Sequence, residues 1–140
     1  MTSRRALTAP NRPLVLLVED YEATSALYAL TLSANGFEVV AAADGTEAFK
    51  RASEIHPDII VTDLAMPNCD GWQFLQDLKQ DVRTRSIPVV AVSGYAERSL
   101  RERAEGYGFA AFFPKPCLPD ELAAGLRRVL DGKNRAHVAG

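Results

Sequence analysis

The 140-residue sequence predicts an α/β fold, a five-stranded parallel sheet with helices on both faces. Two observations and one rule of topology predict it. Five short apolar runs rich in Val, Ile, Leu and Phe alternate with five segments whose apolar residues recur at helical spacing. The connections are short and carry helix start and stop signals. Strands that return in parallel through a helix cross over right-handed, which covers both faces of the sheet.

Residues 1–12 mix Thr, Ser, Arg, Pro and Asn without periodicity and are expected to form a disordered leader to a domain spanning 13–131. Residues 14–18 are an unbroken apolar run suited to a strand buried on both faces, and Glu19 and Asp20 follow it. From 22 to 35, Ala23, Ala26, Leu27, Leu30 and Ala34 recur at helical intervals, and Asn35-Gly36 is a C-terminal stop. Residues 37–42 form a second strand. Asp44 and Glu47 then stand at capping-box spacing before a helix carrying Ala48, Ala52 and Ile55.

Ile59, Ile60 and Val61 make the third strand, and Asp63 stands where it ends. Met66 and Pro67 stop the strand. Asp70 with Gln73 repeats the capping spacing for a helix with Trp72, Leu75 and Leu78 on one face. Residues 87–92 are the fourth strand, with Pro88 tolerable near its start, and Ser93, Gly94 and Tyr95 follow. Residues 96–105 read as a charged helix with a thin apolar stripe of Ala96, Leu100 and Ala104, the helix expected to be least firmly held. Residues 109–113 are the fifth strand, ending in Pro114, Lys115 and Pro116. Asp120 opens the last helix, with Leu122, Leu126, Val129 and Leu130 inward. Asp131-Gly132 is expected to end it, leaving 132–140 as a flexible polar tail.

A composition of 47% hydrophobic and 24% charged residues suits one globular domain. The formal charge of -2 gives no long-range field toward nucleic acid or an anionic membrane, so neither is an expected partner. The arginines at 83 and 85 and at 98, 101 and 103 read as solvated faces mixed with Glu97, Glu102 and Glu105. Cys69 and Cys117 lack metal-ligand spacing, and no secretory signal or membrane-length apolar span accompanies them. Free thiols and a cytoplasmic address are the expectation. His56 and His137 have no partner nearby in sequence and are expected to be structural or solvated.

Polar residues close four of the five strands: Glu19 and Asp20, Asp63, Ser93 and Lys115. Open parallel sheets bind ligands at the carboxyl ends of their strands, so these side chains are expected at one edge. Three carboxylates brought together repel, raise one another's pKa values and attract a hard divalent cation. Mg²⁺ fits best, being content with one or two carboxylates, waters and a phosphate oxygen, and Mn²⁺ is its substitute. Lys115 adds a positive charge and Ser93 a hydroxyl donor, which together suit a phosphoryl group. One carboxylate oxygen can then act as nucleophile toward phosphorus and form an aspartyl phosphate. The bland alternative is that the acids merely cap helices and that Lys115 neutralises them.

On these residues the chain resembles the receiver domains of two-component response regulators, over about 13–131. The resemblance lies in V-E-D (18–20), P-D-I-I-V-T-D-L-A-M-P (57–67), D-G (70–71), V-S-G (92–94) and P-K-P (114–116). Asp63 precedes Ser93 by 30 positions and Lys115 by 52, which fits the family as well as the identities do. The resemblance implies a flavodoxin-like sheet of order 2-1-3-4-5. It implies that Asp63 accepts a phosphoryl group from the phosphohistidine of a sensor histidine kinase or phosphotransfer protein. Glu19, Asp20, Asp63 and the Ala65 backbone carbonyl would bind Mg²⁺. Ser93 and Lys115 would hold the phosphoryl oxygens, and the Lys115-Pro116 bond would be cis. Movement of Ser93 would let the ring of Phe112 turn inward and alter the surface of the fourth helix, fifth strand and fifth helix for a downstream output protein. A homodimer through that surface is a further partner the resemblance allows.

Some positions depart from the commonest family pattern. Phe112 stands where many relatives carry Tyr, so only ring packing can switch there. Cys117 replaces a frequent Phe after the Lys-Pro pair. Ala65 and Tyr95 occupy positions that tune phosphate loss: Ala65 offers no polar group to orient water, and Tyr95 is expected to shield the acyl phosphate. The leading expectation is a stand-alone phosphoacceptor switch that is not an enzyme in the usual sense, with output through a partner. The alternatives are a constitutive interaction module of the same fold, a receiver excised from a larger protein or hybrid kinase, and an aspartate-based phosphohydrolase. The last is disfavoured because Ala65 stands where such enzymes of the haloacid dehalogenase type carry a second Asp.

Overall fold

The computed structural model describes residues 12–65, 70–94 and 98–139, with side chains for all of these but 98–101 and 133–139. Five strands, β1 (Leu14–Val18), β2 (Glu38–Ala42), β3 (Ile59–Asp63), β4 (Val89–Ser93) and β5 (Ala111–Pro114), alternate with five helices. The helices are α1 (Glu22–Ala34), α2 (Gly45–Ile55), α3 (Gly71–Gln80), α4 (Arg98–Tyr107) and α5 (Pro119–Ala139). The strands pair in parallel in the order β2-β1-β3-β4-β5, the fold and strand order expected.

Successive strand residues point to opposite faces, and the core divides accordingly. Leu16, Val18, Ile60 and Ala91 join Ala48 and Ala52 of α2 and Phe74, Leu75 and Leu78 of α3 on one face. Val15, Leu17, Val61 and Val90 join Tyr28 and Leu32 of α1 and Leu122 and Leu126 of α5 on the other. Apolar residues at every position of β1 and most of β3 and β4 are what two buried faces require.

Both acidic N-caps accept from the N–H three residues on, and the Asp44 cap alone has a return bond, the Gln73 side chain donating to Asp77 instead. Asp44 accepts from the Glu47 N–H at 2.8 Å while Glu47 Oε1 accepts from the Ala43 N–H at 2.7 Å, and Asp70 accepts from the Gln73 N–H at 2.9 Å. Helix α4 has Ala104 buried against the core, and Ala96 and the Leu100 side chain lie outside what is described. Further grip comes from Trp72 of α3. Tyr107 and Phe109 meet its ring edge-on at 5.2 and 5.6 Å, and the Arg103 guanidinium lies 5.4 Å from its centroid.

Three local expectations are corrected. On α1, Ala23, Ala26, Leu27, Leu30 and Ala34 face solvent, Leu27 by 54% and Leu30 by 71%, whereas Tyr28 and Leu32 are buried. The helix carries apolar residues all round, so spacing alone selects no face. Burying an aromatic ring outweighs exposing scattered Ala and Leu. Helix α5 does not stop at Asp131-Gly132 but continues to Ala139, so 132–139 is helix rather than tail. A glycine ends a helix by turning left-handed, and Gly132 is not among the positive-φ glycines, which are Gly36 and Gly108. Arg12, assigned to the leader, donates to the carbonyls of Ser33 and Phe37 at 3.2 and 2.9 Å, tying the chain to the end of α1.

Candidate functional site

The register brings the strand ends together: Val18 lies beside Thr62, Asp63 beside Val92, and Ser93 beside Pro114. Glu19 extends the β1–β2 ladder by one bond, its N–H donating to the Ala42 carbonyl at 3.1 Å, and its side chain is 5% exposed. Asp20 next to it is exposed. Asp63 closes β3, and its Oδ1 accepts from the Ala65 N–H at 3.0 Å. One carboxylate oxygen from each of Glu19, Asp20 and Asp63 lies within 4.8 Å of the others.

Lys115 reaches this cluster from the end of β5. Its Nζ stands 2.8 Å from Asp63 Oδ2 and 3.1 Å from Glu19 Oε1. Its N–H donates to the Ser93 carbonyl at 2.6 Å, and the Lys115-Pro116 bond is cis. Ser93 itself is 2% exposed at the end of β4.

Burial pushes the Glu19 carboxyl above its ordinary pKa, against the Tyr21 N–H and Lys115, which favour the charged form. Burial disfavours the Lys115 ammonium too, yet its hydrogen bonds and charge pairing with Asp63 and Glu19 prevail, and its pKa is raised. Three carboxylates and one ammonium leave two formal negative charges, the amount one divalent cation neutralises. The donor set is all hard oxygen. With one oxygen from each acid within 4.8 Å of the others, Glu19, Asp20 and Asp63 would hold such a cation. Helix capping does not account for Asp20, because α1 is capped at Tyr21 without a side-chain bond.

The remaining site residues fall as follows. Ala65 is exposed on the segment after Asp63. Phe112 is packed inward, 6% exposed and in the same cluster as Ala91 and Ala104. Tyr95 lies outside the described residues, as does Cys69. Cys117 is a buried free thiol, and burial pushes its pKa up. Sequence reasoning missed Tyr28, whose hydroxyl donates to the Cys117 carbonyl at 2.8 Å. The two residues are 89 positions apart, a separation no local spacing rule spans.

A parallel sheet whose acidic cluster and lysine sit on its carboxyl edge defines the doubly wound α/β class with a strand-end site. Within that class, the family model of the response regulator receiver domain matches residues 15–127, and the chain belongs to that family. It is 36% identical over 132 residues to the response regulator Rre1 of Synechocystis, covering 91% of this chain and 56% of that protein. The chain thus spans little more than half the length of that relative. It is 36% identical over 102 residues to the polar-differentiation response regulator DivK of Brucella ovis, covering 73% of this chain and 83% of that one. The chemotaxis response regulator CheY4 of Vibrio cholerae superposes with a TM-score of 0.80 at 27% identity, covering 85% of this chain and 99% of that one. Receiver domains are phosphoacceptor modules of two-component signalling, not classical enzymes, and phosphorylation on Asp and Mg²⁺ binding in an acidic pocket are general to them.

Proposed function

We propose that this chain is a phosphorylation-controlled switch whose acceptor is Asp63. The observation that carries the reading is that the Asp63 carboxylate pairs with Lys115 at 2.8 Å and shares a cluster within 4.8 Å with Glu19 and Asp20. The donor is the phosphohistidine of a sensor kinase or phosphotransfer protein. An Asp63 oxygen forms the new bond to phosphorus, the phosphorus–nitrogen bond breaks, and its electron pair stays on the imidazole. Lys115 and the Ser93 hydroxyl bind the phosphoryl oxygens and stabilise the charge that builds on them. Glu19, Asp20, Asp63 and the Ala65 carbonyl would hold Mg²⁺, which would supply further charge neutralisation at the phosphoryl group.

Ser93 and Phe112 link this chemistry to the surface. Phe112 pairs in register with Ala91, two residues before Ser93, and shares a cluster with Ala104 of α4. A phosphoryl group that engages Ser93 biases the inward packing of Phe112 and so the α4–β5–α5 face, which a cytoplasmic output protein reads. Ala65 and Tyr95 tune how fast the phosphate is lost. No helix among the described residues is long and apolar enough to cross a membrane.

Intact mass after incubation with acetyl phosphate tests the reading. A single phosphoryl adduct that needs Mg²⁺ and is abolished by EDTA and by Asp63→Asn is expected. A folded protein that takes up no adduct would refute the acceptor role and favour a constitutive interaction module of the same fold.

A further inference from the structure

The loop that carries Lys115 is fixed to the rest of the molecule by two hydrogen bonds made through its own backbone. On its β5 side the Lys115 N–H donates to the Ser93 carbonyl at 2.6 Å. On its α5 side the Cys117 carbonyl accepts from the Tyr28 hydroxyl at 2.8 Å. Only Pro116 lies between the two anchored residues, so the Lys115 backbone cannot move without straining one of these bonds. Tyr28 is 6% exposed in α1, and its ring packs in the cluster that holds Cys117, Leu122 and Leu126. Tyr28, Gly94, Lys115 and Cys117 also line one open cleft of about 480 Å³, so the anchor opens onto the space beside the lysine. Burial pushes the Tyr28 hydroxyl above its ordinary pKa, which keeps it a donor.

We infer that Tyr28 is a positioning residue for Lys115: its hydroxyl, through the Cys117 carbonyl, sets where the lysine ammonium stands relative to Asp63. The inference rests on the acceptor reading above for its kinetic consequence but not for its geometric one. It makes α1 a direct structural support of the site, although no α1 side chain belongs to the acidic cluster. A residue with only a packing role would keep its effect when Lys115 is removed. A positioning residue loses it.

Tyr28→Phe keeps the ring and deletes only the donor. With acetyl phosphate and Mg²⁺, adduct formation is expected to slow by about three- to tenfold, the scale of one neutral hydrogen bond. In a Lys115→Ala background the same change is expected to have no further effect, a non-additivity that marks action through the lysine. An equal loss in both backgrounds, or no loss in the wild-type background, overturns the inference. The NMR resonance of the Lys115 ammonium supplies a readout that needs no phosphoryl transfer. It is expected to shift in Tyr28→Phe, and an unchanged resonance overturns the inference. Wild-type protein that takes up no phosphoryl group would sink the acceptor reading, and the resonance would still decide the role of Tyr28.

Discussion

Tyr107 meets the Trp72 ring edge-on, with centroids 5.2 Å apart and planes at 84°, and through this contact α3 holds α4. The grip matters because Ala104 is the α4 side chain buried in the core among those described. Tyr107 is secured in turn by Gln76, whose Nε2 donates to its hydroxyl at 2.8 Å. An edge-to-face pair contributes about 0.5–1.5 kcal/mol beyond its buried area. Tyr107→Ala is therefore expected to lower hydrogen-exchange protection across α4 by about tenfold while leaving β1 and β3 unchanged. Trp72 is the sole tryptophan of the sequence, so its emission should shift to the red in the same variant. Unaltered α4 protection would show that the helix is held elsewhere.

Glu19 gives a pH dependence with a definite sign. Burial, the largest influence, raises its folded pKa above 4.5, so between 4.5 and that raised value the folded state binds more protons than the unfolded state. Stability therefore falls as pH rises through this window. Lys115 carries the same sign in a different window: its folded pKa is raised above 10.5, so its contribution is complete below 10.5 and is lost as pH climbs through the raised value. Glu19→Gln mimics the neutral form. Urea unfolding should show the variant gaining on wild type from pH 4.5 upward, with no such gain below it. Mg²⁺ is expected to reverse the order, since a cation at 100 times its Kd would stabilise wild type by about 2.7 kcal/mol and the variant less. Parallel pH profiles would contradict the burial argument.

The strand ends were legible because short apolar runs leave few choices for where a strand stops. Glu19, Asp20, Asp63, Ser93 and Lys115 each follow or close such a run, and parallel pairing then gathers them at one edge. The register of α1 was not legible, because Leu27 and Leu30 compete on paper with Tyr28 and Leu32, and only the hydroxyl's distant acceptor and the ring's packing separate the two faces. The end of α5 misled for a related reason. Asp-Gly is a stop signal only where the glycine turns left-handed, and nothing in 133–139 forbids the helix from continuing. The clasp on Trp72 was half legible: its helical spacing identified it as apolar-facing, but not that α4 rests on it.

The length of α5 has its own test. A Cβ at Gly132 would meet no atom within 4 Å, so alanine there adds helix propensity without a clash. Gly132→Ala should stabilise the last turns by about 1 kcal/mol, seen as slower amide exchange over 133–139. Gly132→Pro should abolish protection there while the sheet keeps its own. Exchange over 133–139 that neither substitution changes would restore the view that the helix ends at Asp131.

Gly71 tests how tightly α3 is pressed onto the end of β3. Its N–H donates to the Leu64 carbonyl at 3.0 Å. A Cβ built on it would run into the Asp63 carbonyl oxygen and come within 2.8 Å of Leu64 Cα. Both obstacles are backbone, so they cannot swing aside as a flexible side chain would. Gly71→Ala must displace either the start of α3 or the end of β3, at a cost of about 1–3 kcal/mol. The obstacle nearest that Cβ is the Asp63 carbonyl itself, so displacement of the β3 end carries Asp63 with it, and the adduct with acetyl phosphate should form more slowly than the stability loss alone explains. Urea midpoints and adduct rates compared at a temperature where the variant is fully folded separate the two effects. A midpoint equal to wild type would mean that the approach of Gly71 to Asp63 is looser than these distances require.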